Sequence, residues 1–314
     1  MYDVIILGGG PAGLAAGMYA ARGRMSTLII EMDKDGGQIV ETDRVENYPG
    51  QLPGGETGEE LVARMTKQCE DFGCERAKDI VREVVFAAEE GGTHQVKGDA
   101  ATYEGKTLII ATGASPKPTG VVGEEKFRGR GVSYCATCDA NFFKDLDIYV
   151  VGGDSSAVGG ALYLADFGKH VYLINRGREL VASDTVIERA KANEKISIIS
   201  NSVVTELGGE MMLSSITLKD VDTGETQTFE ADEKDGVFGV FFIGTKPNTD
   251  LFAGTALAVD DSGYIPTDEE MQTNIPGVYA AGDVRVKSLR QVVTATADGA
   301  IAASNAGKYV RSQK

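Results

Sequence analysis

Positive charge is scarce in this sequence. Its 31 lysines and arginines face 47 aspartates and glutamates, a net charge of -16. Such a balance argues against non-specific nucleic-acid binding, which needs cations to replace counterions. Tryptophan is absent and there are only two histidines, His94 and His170, so a histidine base or a histidine-built metal site has little support. No stretch approaches the ~18 consecutive apolar residues of a membrane span. The opening MYDVIILGGG lacks a basic n-region and a cleavage site, so it reads as a buried strand and the expected location is cytoplasmic. Four cysteines, Cys69, Cys74, Cys135 and Cys138, are too few for a structural disulfide framework in a chain of 314 residues.

Glycine, by contrast, is abundant, with 40 residues clustered after apolar runs. Strands are expected at 3–7, 26–31, 107–112, 148–153, 171–175, 240–244 and 277–282, with helices at 11–22, 57–72, 156–167 and 288–309. Strands alternating with helices predict an α/β fold with parallel sheets. Two strand–turn–helix units, starting near residues 3 and 148, form an internal repeat at domain scale. The segments GASPKPTG (113–120) and GTKPNTD (244–250) read as a double linker. They divide the chain into a discontinuous outer domain, 1–117 with 247–314, and an inserted domain, 118–246.

Gly8, Gly10 and Gly13 follow the first strand and open a helix as G-x-G-x-x-G. That arrangement suits a pyrophosphate: a tight turn, close backbone approach, and a helix N-terminus offering amides. Glu31 ends the second strand, where it can accept hydrogen bonds from a ribose. Asp283, at the end of the last expected strand, reads either as a polyol ligand or as a helix N-cap. Cys135-Ala136-Thr137-Cys138 has the spacing of a redox dithiol, with Asp139 at hand as a general acid; if Cys138 starts a helix, the dipole favours its thiolate. Half a zinc site is the rival reading, but no second close pair of ligands is present, so no metal is expected. Cys69 and Cys74 are expected to be non-catalytic, His94 to lie in a solvated hairpin and His170 to be structural.

GGGPAG, GGQIVETDRVENYPG, IIATGASP, YCATCD, GVYAAGDV and RQVVTATADGAIAA occur in that order. Together they closely resemble the low-molecular-weight thioredoxin reductase family of flavoproteins over almost the whole chain. The resemblance implies two Rossmann-like, three-layer domains, with FAD in the outer one. It places Gly8, Gly10, Gly13 and Glu31 on the ADP half, and Gly37, Gln38 and Asn47 along the flavin and its ribityl chain. Thr112 and Gly113 flank the linker beside the cofactor. Asp283 holds the ribityl chain or pyrophosphate. Arg290, Gln291 and Val292 lead a helix towards the flavin pyrimidine, where a positive dipole end favours reduced flavin. In this family Cys138 would face the flavin and Cys135 would attack thioredoxin or a thioredoxin-like protein. A homodimer is expected on the same ground.

The second glycine turn departs from the family. Its inserted domain binds NADPH through another fingerprint and a His-Arg-Arg cluster with a further arginine four residues on. Here Asp154 stands at the pyrophosphate glycine, and Asn175, Gly177 and Val181 replace the His, the second Arg and the last Arg, leaving Arg176 and a displaced Arg178. Gly159 and Gly160 also replace an acidic pair. This degenerate nicotinamide-type domain resembles that of ferredoxin-dependent flavin thioredoxin reductases, so reduced ferredoxin is the expected electron donor. It would dock on a local basic patch for which Arg22, Arg24, Arg285, Lys287 and Arg290 are candidates. The alternatives are an NAD(P)H-dependent thioredoxin reductase, a diflavin-linked disulfide oxidoreductase, or a flavin-bearing sensor without turnover.

Overall fold

The computed structural model describes residues 1–42, 45, 47–52, 55–117, 119–232 and 237–313. The chain forms two units, Met1–Ser115 with Lys246–Lys314, and Pro116–Thr245. In chain order the first unit supplies β1 (Tyr2–Leu7), α1 (Pro11–Arg22), β2 (Thr27–Glu31), α2 (Gly58–Asp71), β3 (Glu75–Lys78), β4 (Val81–Val85), β5 (His94–Gly98), β6 (Thr102–Ile110) and β7 (Ala114–Pro116). The second supplies β8 (Val132–Ser133), α3 (Ala136–Asp139), β9 (Asp147–Val151), α4 (Ser155–Leu164), β10 (His170–Ile174), α5 (Asp184–Ala192), β11 (Ile196–Ile199), β12 (Ser202–Gly208), β13 (Ser215–Asp220), β14 (Thr226–Glu230) and β15 (Gly239–Phe242). The chain returns through β16 (Thr245–Pro247), which pairs with β7, to β17 (Val278–Ala280) and α6 (Val292–Ser312).

In the first unit β3, β2, β1 and β6 run parallel in that order, and β17 joins β6 in parallel beyond the point where antiparallel β5 leaves it. Val4 to Leu7 are buried on both faces, the continuous apolar run of a covered parallel strand. One face packs under α1, α2 and α6 through Val4, Ile6, Ile29 and Ile109. The other carries Ile5, Leu7, Leu28 and Leu108 against Val84 and Val96 of the β4–β5 hairpin and against Phe252 and Ile265. α1 and α6 approach closely because small residues face each other: a Cβ on Gly299 would strike the Ala12 carbonyl. That contact brings the front of α6 towards the first glycine turn. Thr57 and Glu60 close a capping box at the start of α2, worth about 1 kcal/mol.

In the second unit β11, β10, β9, β15 and β8 form a parallel sheet. α4 and α5 cover one face, where Val158, Ala161, Leu164 and Ala190 meet Ile148, Val150 and Phe241. The antiparallel β12–β13–β14 sheet covers the other, where Leu207, Ile216 and Leu218 meet Tyr149, Val240 and Phe242. Both units thus have the three layers of an α/β fold. The last helix starts later than its pattern predicts, at Val292, because Gln291 caps it in a capping box with Thr294. Among the described residues no helix is long and apolar enough to cross a membrane.

Candidate active site

The first glycine turn is held by contacts that only glycine permits at two of its positions. Gly8 has φ +108° and a Cβ there would strike the Ala111 carbonyl; a Cβ on Gly13 would strike the carbonyl of Gly8. Gly10 is different. It is the N-cap of α1 with φ -74°, and the nearest atom to a Cβ there is the Gly36 carbonyl oxygen at 3.8 Å. The protein's own packing does not require glycine at that place. No side chain caps α1, so its first-turn amides lack a side-chain acceptor. Glu31, at the end of β2, accepts from the Gly9 N–H at 2.7 Å and, through its other oxygen, from Met32 N–H at 2.7 Å.

The other expected residues gather round this turn. Gly37 (φ +59°) lies beside Gly10, and Gln38 donates to the Ala114 carbonyl. Asn47 donates to Gln291 Oε1 at 3.0 Å, linking the segment before α2 to the cap of α6, where Val292 is the first helical residue. Thr112 and Gly113 are clamped by Asn248: its side chain donates to the Thr112 carbonyl at 2.8 Å and its N–H to the Gly113 carbonyl at 3.0 Å. Gly282 leans on Ala12 and carries Asp283 into a short 3-10 turn, Gly282–Val284. Asp283 Oδ1 is buried without a hydrogen-bond partner, and burial raises its pKa although Lys287 and Arg290 oppose the shift. Arg290 donates to the Asp283 carbonyl at 3.2 Å and lies 3.9 Å over the Tyr264 ring.

Asp298 was not singled out by sequence reasoning, yet it anchors that turn. It accepts from Gly282 N–H at 3.0 Å, Lys287 Nζ at 2.6 Å and Arg285 at 3.2 Å. The sequence signal was present: Asp298 shares the small, apolar face of α6 with Ala295, Gly299 and Ala302, where an acid needs a partner. Its partners correct the expected docking patch. Arg285 and Lys287 are 13% and 8% exposed and committed to Asp298, so of the five candidates only Arg22 and Arg24 are freely exposed.

In the second unit Cys135 and Cys138 form a disulfide with Cα atoms 5.3 Å apart. The helix begins at Ala136 with Cys135 as its N-cap, so Cys138 lies inside the turn and the condition that it start the helix is not met. Asp139 follows, and its Oδ2 accepts from Ser133 Oγ at 2.6 Å. The other cysteines, Cys69 and Cys74, are buried thiols; burial pushes them up to about 11 and about 12, which keeps them protonated and unreactive. His94 is not solvated: it starts β5, is 2% exposed and accepts from Ala87 N–H at 3.1 Å. It points inward with Val96 at period two, a pattern that its polar flanks conceal. His170 Nε2 is 2.8 Å from Ser197 Oγ. No cluster that could hold a metal ion exists among the described residues.

The second glycine turn is closed by its own side chains. Asp154 is the N-cap of α4 and accepts from Ala157 N–H at 2.9 Å. Asn175, 5% exposed, donates to the carbonyls of Gly177 at 2.9 Å and Glu179 at 2.8 Å, and accepts from Gly177 N–H. A Cβ on Gly153 would strike the Asn175 side chain, and Val181 N–H donates to the Gly153 carbonyl at 2.7 Å. The 176–181 loop is thereby laid against the turn. Arg178 points outward to Asp222 at 2.6 Å.

The Pyridine nucleotide-disulphide oxidoreductase family matches residues 2–299. The chain is 50% identical over 311 residues to a thioredoxin reductase of Peptoclostridium litorale, covering 99% of this chain and 97% of that protein. It is 43% identical to the thioredoxin reductase of Listeria monocytogenes, covering 100% and 95%. A crystal structure of thioredoxin reductase from Streptococcus pyogenes superposes with a TM-score of 0.89 at 42% identity, covering 99% of each chain. The chain belongs to the thioredoxin reductase family.

Thioredoxin reductases are flavoprotein disulfide oxidoreductases, and FAD is the cofactor. The first unit fits it on three counts: uncapped amides at the front of α1, room at Gly10, and the orphaned Asp283 Oδ1. The relatives do not separate out a ferredoxin-dependent branch within the thioredoxin reductases.

Proposed function

We propose that this chain reduces the disulfide of thioredoxin, or of a thioredoxin-like protein, through FAD and the Cys135–Cys138 pair. The observation that carries the reading is that pair, closed as a disulfide beside Asp139 in a chain 50% identical to a thioredoxin reductase. FAD would lie in the discontinuous outer unit, with Gly8, Gly10, Gly13 and Glu31 on its ADP half, and Gly37, Gln38, Asn47, Thr112, Gly113, Asp283, Arg290, Gln291 and Val292 along the rest. When bound, FAD would supply the two-electron redox chemistry that links the donor to the disulfide. The protein's own chemistry is thiol–disulfide exchange. The Cys135 thiolate attacks one sulfur of the substrate, the substrate S–S bond breaks, and Asp139 protonates the departing thiolate. Cys138 then attacks Cys135, releasing the second substrate thiol and closing the pair again.

For the electron donor, kinship favours a pyridine nucleotide, the donor class in the family's own description. Reduced ferredoxin is the second reading, and the second glycine turn favours it. Asp154 occupies the helix amides that a pyrophosphate would use, and Asn175 and Val181 close the loop over it. Anaerobic titration of the FAD-loaded protein with NADPH, NADH and reduced ferredoxin separates the two. Rapid flavin bleaching by micromolar NADPH or NADH supports the first reading; bleaching by ferredoxin alone supports the second. Neither the diflavin alternative nor the sensor gains support from the described residues of the second unit.

We further propose a homodimer. Tyr19 and Ile301, exposed on α1 and α6, support an apolar contact there. Light scattering should give about twice the 33.2 kDa of one chain.

A further inference from the structure

Ser133 is the last residue of β8 and is only 5% exposed. Its Oγ donates to Asp139 Oδ2 at 2.6 Å and accepts from the Cys135 N–H at 3.1 Å. Among the described residues its proton has no other acceptor. A buried hydroxyl must spend its proton on some acceptor, and a bond to an ionised carboxylate is roughly twice as strong as one between neutral groups. The direction of this hydrogen bond is therefore fixed. Oδ2 is thereby committed as an acceptor. The same hydroxyl oxygen holds the backbone of Cys135. Acid and nucleophile thus share one anchor at the end of a strand that pairs with β15 in the unit's parallel sheet.

We propose that Ser133 is a positioning residue for thiol–disulfide exchange: its hydroxyl fixes the Asp139 carboxyl against the Cys135 backbone. This rests on the reading of Cys135, Cys138 and Asp139 given above. In the step concerned, the Cys135 thiolate bonds to one substrate sulfur and the substrate S–S bond breaks. The departing thiolate takes the proton carried by Asp139, and Ser133 stabilises the carboxylate that remains. Because the serine donates to the carboxylate, its removal takes away a contact that favours the ionised form.

The test uses the whole protein, reduced with a small dithiol, freed of excess and mixed with oxidised thioredoxin over a pH series. Ser133→Ala should slow exchange about ten-fold at neutral pH, the loss expected for one charge-assisted hydrogen bond. It should move the alkaline limb of the pH profile to higher pH and leave the KM for thioredoxin unchanged. Ser133→Thr, which keeps the hydroxyl, should restore the wild-type limb. In an Asp139→Asn background the loss of Ser133 should cost less than it does in the wild type. Ser133→Gly serves the same comparison should the alanine variant not fold. An unmoved limb in Ser133→Ala overturns the proposal, as does a folded Ser133→Thr with the alanine defect, or losses that add in the double variant. Cys135→Ser and Cys138→Ser are run in parallel. If either still reduces thioredoxin, the dithiol reading itself has failed, whatever Ser133 does.

Discussion

The glycine turns at residues 8–13 and 152–157 follow the same strand–turn–helix course and differ in what becomes of their polar groups. In the first, Gly10 caps α1 without a side chain, and the amides of the first turn remain available. In the second, Asp154 caps α4 and takes the Ala157 N–H for itself. The polar residue ending the neighbouring strand differs in the same way. Glu31 accepts three backbone N–H bonds and, as a carboxylate, has acceptor capacity left for a ribose. Asn175 spends both donors and its oxygen on the loop that follows it. The neighbours differ as well: Asp283, with an orphaned buried oxygen, follows Gly282 beside the first turn, whereas apolar Ile243 stands beside the second. A helix N-terminus serves an anion only while no residue of the chain has satisfied it first.

Transplanting the second turn's carboxylate into the first gives the largest expected effect. Gly10→Asp should cap α1 internally and set a charge against pyrophosphate. Losing about two charge-assisted contacts should weaken FAD by about 4 kcal/mol, near a thousand-fold. The room around Gly10 predicts that the variant still folds. Flavin content per chain checks the first expectation and thermal unfolding of the apoprotein the second; a fully yellow variant would break the comparison. Next comes the anchor of the first site. Asp298→Ala leaves Lys287 and Arg285 buried without their acid, a loss of about 3 kcal/mol in unfolding free energy, read by urea denaturation. Asp298→Asn keeps an acceptor for Gly282 and should lose less.

A smaller effect should come from opening the second turn. Asp154→Gly removes the cap at a cost of only a few tenths of a kcal/mol. If a pyridine nucleotide is the donor, the rate of flavin reduction at subsaturating NAD(P)H should rise about ten-fold, as expected when about 1.4 kcal/mol of repulsion is relieved. A ferredoxin-driven rate should stay the same. No gain with either nucleotide, together with a good ferredoxin rate, would sharpen the comparison into a difference of electron source.

Much of this was legible in the sequence, because glycine turns and apolar strands are local signals. Gly8, Gly13 and the Cys135–Cys138 spacing could be read residue by residue, as could the α/β alternation. What escaped depends on partners far along the chain. Asp298 reaches back to Gly282 and Lys287, Asn248 clamps Thr112, and Ser133 reaches Asp139 across the turn that holds the disulfide. The sequence points to a solvated His94 because polar neighbours hide an alternation of only two inward residues, His94 and Val96. Arg285 and Lys287 pass for docking-patch candidates in the sequence because nothing local reveals the buried acid that holds them.

The smallest effect is a pH dependence confined to the first site. Burial raises the pKa of Asp283 in the folded apoprotein, with Lys287 and Arg290 opposing. The folded chain therefore holds this proton more tightly than the unfolded chain does. Between the unfolded and folded pKa values the native state binds more protons, so stability falls as pH rises. The contribution is fully present below the ordinary carboxylate value, about 4, and is lost as pH climbs through the folded value. Asp283→Asn removes that loss. Its apoprotein should gain on the wild type as pH rises from about 4 and then hold a constant lead. Denaturation midpoints of the two apoproteins across a pH series measure the difference. A lead that is flat with pH, or that shrinks as pH rises, would show that the orphaned oxygen is not penalised by burial. FAD should close the gap if one of its hydroxyls donates to Asp283 Oδ1, the partner that the folded chain withholds.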